Sequence, residues 1–294
     1  MAQLREIRKR IRSIENTQKV THAMELVAAA KMRKAQLSAL SGRPYSLSLE
    51  GIIAEVKTKS GKIRHTLLAE KHSPNQIIIL ITSDRGLAGG LNINLFREIL
   101  SSDLKNSQYI TVGKKATNFA VKTGAEILAS FSSEEKSPLD LSRTLAKMTI
   151  DAFKKSQASK ISIMYPHFQS TIKQTPKLIQ LLPIELENEN QKPASDSPRF
   201  PDEAGNQQLD TLLFEPSADG ILESILPHHI LTQIYQVLLE AKAAEHSARM
   251  VAMKNATDAA GDLVEDLTLT YNQARQDTIT KELLDIITAQ RAFE

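Results

Sequence analysis

The sequence predicts an α/β fold in which two long terminal helices pair as an antiparallel coiled coil and a small α/β domain is inserted between them. Three observations carry this. Leu4, Ile7, Ile11 and Ile14 are spaced three, four, three, a narrow helical seam near the start of the chain. Near the end, Ile230, Ile234, Val237, Ala241, Ala244, Ala248 and Val251 alternate four and three without a miss. Between these regions, from about Asn75 to Pro183, β-branched runs alternate with helical patterns, the order that builds a largely parallel sheet.

The first helix occupies residues 1–59. Its seam turns polar at Gln18 and Thr21 and is expected to resume through Met24, Val27 and Met32. Gly42 and Pro44 are expected to kink or interrupt it, because proline removes a backbone donor and clashes with the preceding turn. The α/β domain, residues 75–183, reads as Rossmann-like. Its strands are expected at Ile77–Thr82, Tyr109–Val112, Glu126–Phe131, Ile161–Tyr165 and Lys177–Leu182, and its helices at Leu91–Ser101, Lys115–Lys122 and Pro138–Ser156. Residues 184–217 then read as a flexible acidic loop and connector. Within them, over Glu185–Asp210, seven acids face only Lys192 and Arg199 among three prolines. The last helix, residues 218–294, carries its apolar face onward through Leu263, Leu267, Tyr271 and Ala274 to Ile279, Leu283 and Ile286. Roughly 70 residues at 1.5 Å each make a helix on the order of 105 Å, too long for one small domain to cover. The alanines of its seam let a partner helix approach closely, and the N-terminal helix is the available partner.

Composition narrows the function. The 294 residues include no cysteine and no tryptophan, so disulfides, thiolate chemistry and cysteine metal sites are excluded. Net charge is only +3, but Met1–Gln36 holds nine basic residues against Glu6, Glu15 and Glu25. A basic amphipathic helix of this kind suggests an acidic partner. Such a terminus can resemble a transit peptide, although its glutamates and long regular pattern argue for a mature helix. No apolar run reaches the roughly 18 residues of a spanning helix. The expectation is a soluble intracellular chain, or one peripheral to a membrane.

The stretch Ile77–Leu100 raises the possibility of a cofactor, since a strand, the loop "DRGLAGG" and a helix follow one another as in phosphate-binding turns. The motif fails, however. "GLAGG" lacks the spacing of a dinucleotide loop, and "VGKKAT" at Val112–Thr117 has Gln108 where a Walker-type loop needs glycine. A tight turn is the better reading, with Asp84 and Arg85 pairing locally and Gly86, Gly89 and Gly90 giving backbone freedom. Adjacent His228 and His229 point about 100° apart on a helix and make a poor metal pair. Asp262, Glu265 and Asp266 have no basic or histidine partner at catalytic spacing and read as a solvated face. The residues thus indicate no catalytic, cofactor or metal site. A nucleotide-dependent enzyme with helical arms and a coiled coil binding duplex nucleic acid are the competing readings. The missing motifs speak against the first. The acidic last helix speaks against the second, while the scarcity of aromatics among the basic residues speaks against stacking on single strands.

Three segments carry a family resemblance. "IRKRIRSIENTQKVTHAMELVAAAKMRKAQ" (Ile7–Gln36), "SDRGLAGGLN" (Ser83–Asn92) and "RMVAMKNATDAAGDLVEDLTLTYNQARQDTITKEL" (Arg249–Leu283) closely resemble the N-terminal, internal and C-terminal signatures of the gamma subunits of rotary ATP synthases. The resemblance implies a central rotor shaft inside a hexamer of alpha and beta subunits. The α/β domain becomes a foot joining the epsilon subunit and the membrane ring of c subunits, with catalysis on beta and no cofactor on this chain. It places the chain peripherally, through the c-ring, on the cytoplasmic face of a bacterial inner membrane. It implies that "DRGLxGG" is a turn at the top of the foot facing the lower ends of beta. It also implies coupling roles for Met24 and Arg249 beside an acidic lever of beta. By the same resemblance Arg33 and Lys34 fall in the family's matching basic stretch, and Arg275, Gln276 and Thr280 match residues that hydrogen-bond a beta loop higher on the shaft. Ala88 departs from the family's common cysteine, and the chain ends "IITAQRAFE" where relatives often carry a Gly/Ala-rich tip.

Overall fold

The structure, a computed structural model, describes residues 2–60, 65–71, 73–102, 104, 107–135, 137–184 and 218–293. The expected acidic loop, apart from Ile184, lies outside the described residues. Ten elements follow in order: α1 (Ala2–Ser60), β1 (Gln76–Ile81), α2 (Leu91–Ser101), β2 (Gln108–Val112), α3 (Lys114–Thr123), β3 (Ile127–Phe131), α4 (Pro138–Lys154), β4 (Lys160–Phe168), β5 (Gln174–Leu182) and α5 (Ala218–Phe293). The chain divides into two compact units. A long-helix unit comprises Met1–Lys31, Leu87–Gly89 and His246–Glu294, and an α/β unit comprises Met32–Gly86 and Gly90–Glu245. The second unit thus takes in parts of both terminal helices, more than the expected 75–183.

In the α/β unit the five strands lie in the order β3-β2-β1-β4-β5. All pair in parallel except β4 with β5, which are antiparallel and joined by a short hairpin. Strand β1 is central, and its residues Ile77–Ile81 are buried on both faces. This is why it reads as an unbroken β-branched run and not as an alternation. Ile77, Ile79 and Ile81 join Ile161, Ile163 and Tyr165 on one face, packed by Leu141, Leu145 and Phe153 of α4, Leu49 and Ile53 of α1, and Leu226, Ile230 and Ile234 of α5. The opposite face presents Ile78, Leu80, Tyr109 and Met164 to Leu95 and Ile99 of α2 and Ala116 of α3. Helix α4 starts where its sequence directs. The Ser137 hydroxyl accepts from the Asp140 amide at 3.2 Å, and Pro138 takes the first turn.

Helix α1 removes one alternative and corrects one expectation. It is not interrupted at Gly42 or Pro44. Gln236 of α5 donates to the Ala39 carbonyl at 2.9 Å, beside the Leu40 carbonyl whose donor the proline removes. A Cβ on Gly42 would stand 3.0 Å from Gln236 Oε1, so the small residue permits close approach there. The inner face of α1 also does not resume at Met24 and Val27, which are exposed. It keeps its alternation of three and four through half-buried Gln18, Thr21 and Glu25 to buried Ala28. Sequence hydrophobicity misplaced the line because three polar residues occupy it. In the long-helix unit Thr257 donates to Thr21 at 2.8 Å, and a Cβ on Gly261 would meet Gln18 at 3.1 Å. As α1 advances α5 recedes, so the two run antiparallel. On α5 the half-buried line passes through Val264, Leu267, Tyr271 and Ala274, and Leu263 is exposed, against expectation.

Candidate functional site

The loop between β1 and α2, where the sequence raised a ligand, spends its polar groups on the neighbouring α3, while α2 itself starts at Gly90 with no side-chain cap. The amides at the start of α3 are the groups that the other candidate stretch, Val112–Thr117, would offer a phosphate. Lys114 N donates to Asp84 Oδ1 at 3.0 Å, Lys115 N to the Ser83 carbonyl at 3.3 Å, and Ala116 N to Thr82 Oγ1 at 2.8 Å. Three residues of the β1–α2 loop therefore already cap this helix. Asp84 reaches further, accepting from Ser132 Oγ at 3.2 Å and from the Glu134 amide at 3.0 Å beyond β3. One carboxylate ties together the turns that follow β1, β2 and β3.

This corrects the expected Asp84–Arg85 pair, since Arg85 instead bridges to Glu134 at 3.1 Å. That pair is exposed and contributes little by itself. The glycines also divide differently. Within the loop only Gly89 (φ 55°) and Leu87 (φ 64°) occupy the left-handed region, and Gly86 and Gly90 do not. The most constrained glycine in this region is Gly113, at φ 98°, where a Cβ would run into the Thr82 carbonyl oxygen. The sequence shows that glycine only as half of an incomplete phosphate motif. Its actual neighbour, Thr82, is 31 residues away, which no local pattern reveals.

The second place to look is the crevice outside the carboxyl ends of the strands. In an open α/β sheet it lies where strand order reverses, here between β1 and β4. Helix α5 fills it. Leu238, Ala241, Lys242 and Glu245 meet Ile81, Thr82, Ser83 and Pro166 there, leaving a cavity of about 10 Å³. That volume holds one water molecule at most. Burial pushes the Lys242 ammonium below its usual range, opposed by the charges of Glu245, Asp84 and Glu134. A larger apolar groove of about 330 Å³ lies between α1 and α5, lined by Tyr45, Leu49, Ile52, Ile225 and His228. Tyr45 and His228 are 2.7 Å apart across it. His229, beside His228, is buried in the core with its ring nitrogen Nδ1 unpartnered. Burial, followed by the neighbouring His228, lowers its pKa to about 4. Among the described residues no group of histidines and carboxylates is arranged to hold a metal.

The residues with expected partner roles lie along the helices and not in any pocket. Arg33 and Lys34 of α1 are exposed in the α/β unit. In the long-helix unit Met24, Arg275, Gln276 and Thr280 are exposed and Arg249 is half-buried, with its Nη1 3.5 Å from His246 Nδ1. Asp262, Glu265 and Asp266 are exposed too. No helix among the described residues is long and apolar enough to cross a membrane.

Comparison with known proteins places the whole chain. The family model described as ATP synthase matches residues 3–293. The ATP synthase gamma chain of Methylacidiphilum infernorum (isolate V4) is 41% identical over 298 residues and covers 100% of both chains. That of Opitutus terrae is 39% identical and covers 99% of both. Among solved structures, a chain of the Euglena gracilis mitochondrial ATP synthase in rotational state 3 superposes with a TM-score of 0.67 at 19% identity, covering 99% of this chain and 95% of its own. A chain of the Tetrahymena thermophila central stalk and c-ring gives 0.58 at 20%, covering 81% and 99%. The loop caps a neighbouring helix, another helix fills the crevice, and the match to the family model and to these relatives runs from end to end: the chain belongs to the ATP synthase gamma-chain family.

Proposed function

We propose that the chain is the central-stalk rotor subunit of an ATP synthase, coupling ion-driven rotation of a c-ring to ATP synthesis or hydrolysis on beta subunits. The observation that carries this reading is the long-helix unit. Its α5 continues past Thr278 with every described side chain exposed, including Ile279, Leu283 and Ile286. Apolar surface of that extent marks an interaction site, and a hexamer of alpha and beta subunits is the partner that would enclose it. The α/β unit serves as the foot toward epsilon and the c-ring. The chain itself is non-catalytic, with turnover on beta. It lies peripherally on the cytoplasmic face of a bacterial inner membrane, held there through the c-ring.

Met24, Arg33, Lys34, Arg249, Arg275, Gln276 and Thr280 are the proposed coupling contacts. Asp84, Arg85, Gly86, Gly89 and Gly90 form a turn that faces the lower ends of beta. Arg249 offers the direct test. Reversing its charge in Arg249→Glu replaces attraction to an acidic lever with repulsion. The purified complex of this chain with alpha, beta, epsilon and c subunits should still assemble, while ions pumped per ATP hydrolysed should fall. Normal pumping at normal hydrolysis removes Arg249 from the set. Failure of the wild-type chain to enter such a complex removes the rotor reading itself.

A further inference from the structure

In the α/β unit, α5 rests on the sheet through Ile230, Ile234, Val237, Leu238 and Ala241. Such packing is non-directional: it supplies burial, but leaves a helix comparatively free to slide or turn about its own axis. A rotor needs something more at this place, because torque must pass between sheet and helix. One contact has the required geometry. Glu240 of α5 meets β4 through both carboxylate oxygens. Tyr165 Oη donates to Oε2 at 3.0 Å, and His167 Nδ1 stands 2.6 Å from Oε1, a close polar contact without good hydrogen-bond alignment. Tyr165 and His167 are two residues apart on one strand, so they share a face and stand about 7 Å apart along it. Their own positions are fixed by the pairing of Tyr165 with Lys177 and of His167 with Thr175 on β5. The two rings also meet edge to face at 6.2 Å.

We propose that Glu240, gripped at two points by Tyr165 and His167, is the register pin that makes α5 and the sheet turn as one body, a positioning residue for torque transfer. The idea rests on the rotor reading. Tyr165 is 1% exposed, and burial together with Glu240 holds its hydroxyl well above the ordinary phenol range, so it remains a donor. A single hydrogen bond would allow the helix to pivot about one atom. Two anchors on one carboxylate resist both pivoting and sliding. Buried polar contacts elsewhere fix register in this way while adding little net stability.

That last property separates the pin from mere structural support. In the assembled complex, the double variant Tyr165→Phe with Glu240→Leu keeps the packing but removes the directional contacts. Its melting temperature should stay close to that of wild type, because replacing the polar pair of buried Tyr165 and half-buried Glu240 with apolar residues of similar volume is often neutral. The torsional stiffness of the rotor, read from the angular fluctuations of a probe on the foot with α5 held in the hexamer, should fall, and ions pumped per ATP should fall with it. Glu240→Gln keeps an acceptor for Tyr165 and a polar terminus beside His167, and should restore most of the stiffness. Unchanged stiffness in the double variant overturns the proposal. So does a loss that Glu240→Gln fails to rescue, or one that merely follows a lowered melting temperature. If the double variant does not assemble, Tyr165→Phe alone decides, and wild-type stiffness in it overturns the pin. A wild-type complex that does not rotate in the same assay refutes the rotor reading and leaves the register question to the melting data.

Discussion

The two units hide different kinds of residue. The α/β unit buries large aliphatic and aromatic side chains, among them Ile77, Ile79, Leu145, Phe153, Ile163 and Leu226. In the long-helix unit the buried described residues are Ala28, Ala88, Ser247, Ala248, Met253 and Ala260. A buried methyl group contributes about 0.8 kcal/mol and a large aliphatic side chain about 1.5–3 kcal/mol. The seam of small residues therefore brings two helices close while gaining little from water. Meanwhile Leu26, Val27, Leu263, Leu269, Ile279 and Leu283 remain exposed. The contrast teaches that one unit is stabilised from within, while the other presents apolar surface for a partner to cover.

Truncation tests this most strongly. Ile79 is fully buried in β1, and Ile79→Ala should cost the isolated chain about 4 kcal/mol in urea unfolding through lost transfer energy and a cavity. Leu283 is 55% exposed, and Leu283→Ala should change stability by no more than about 0.5 kcal/mol. Comparable losses at both positions would mean that the chain covers its own tail.

Acid should act on the α/β unit through His229. Its pKa falls to about 4 in the fold from an ordinary 6.5, so the unfolded chain binds the extra proton first. The contribution is complete above about pH 6.5 and is lost as pH falls toward 4, up to about 3 kcal/mol. His229→Leu should flatten stability across that window. A wild-type slope retained in this variant would assign the acid response to other groups.

A smaller effect is expected at Asp84, which anchors three turns of the same unit. Asp84→Ala leaves the Lys114 and Glu134 amides without their acceptor and should cost about 2 kcal/mol. Asp84→Asn keeps one carbonyl oxygen and should fall between. Hydrogen exchange at those two amides should rise while the long-helix unit keeps its protection. Unaltered exchange would show that Asp84 is dispensable to the turns.

How far the sequence reveals these regions follows from how locally each is encoded. The strands and helices of the α/β unit were legible because their apolar runs and turn residues lie within single segments. Observed β1, α2 and α4 fall within two residues of the expected limits. The inner face of α1 was less legible, since Gln18, Thr21 and Glu25 occupy it while Met24 and Val27 face outward. Hydrophobicity is a poor guide where the contact is made by polar stems and small residues. The chemistry of the "DRGLAGG" loop was hidden for another reason. Asp84 finds its partners at Lys114, Ser132 and Glu134, which only the parallel sheet brings together. The positive φ of Leu87 and the demand for glycine at 113 likewise come from tertiary approach.

That loop also provides the most direct test of rotation. Ala88 is only 3% exposed, whereas Leu87 beside it is 59% exposed. The chain has no other thiol, so Leu87→Cys creates a single addressable group. Pair it with one cysteine on the lower face of beta in the assembled complex and oxidise. A disulfide requires the two Cα atoms to come within about 7 Å, so one beta subunit at most is joined at a time. If the chain is the rotor, ATP turnover stops when the bond is complete and returns on reduction. Full turnover with the crosslink shown to be complete would contradict the account.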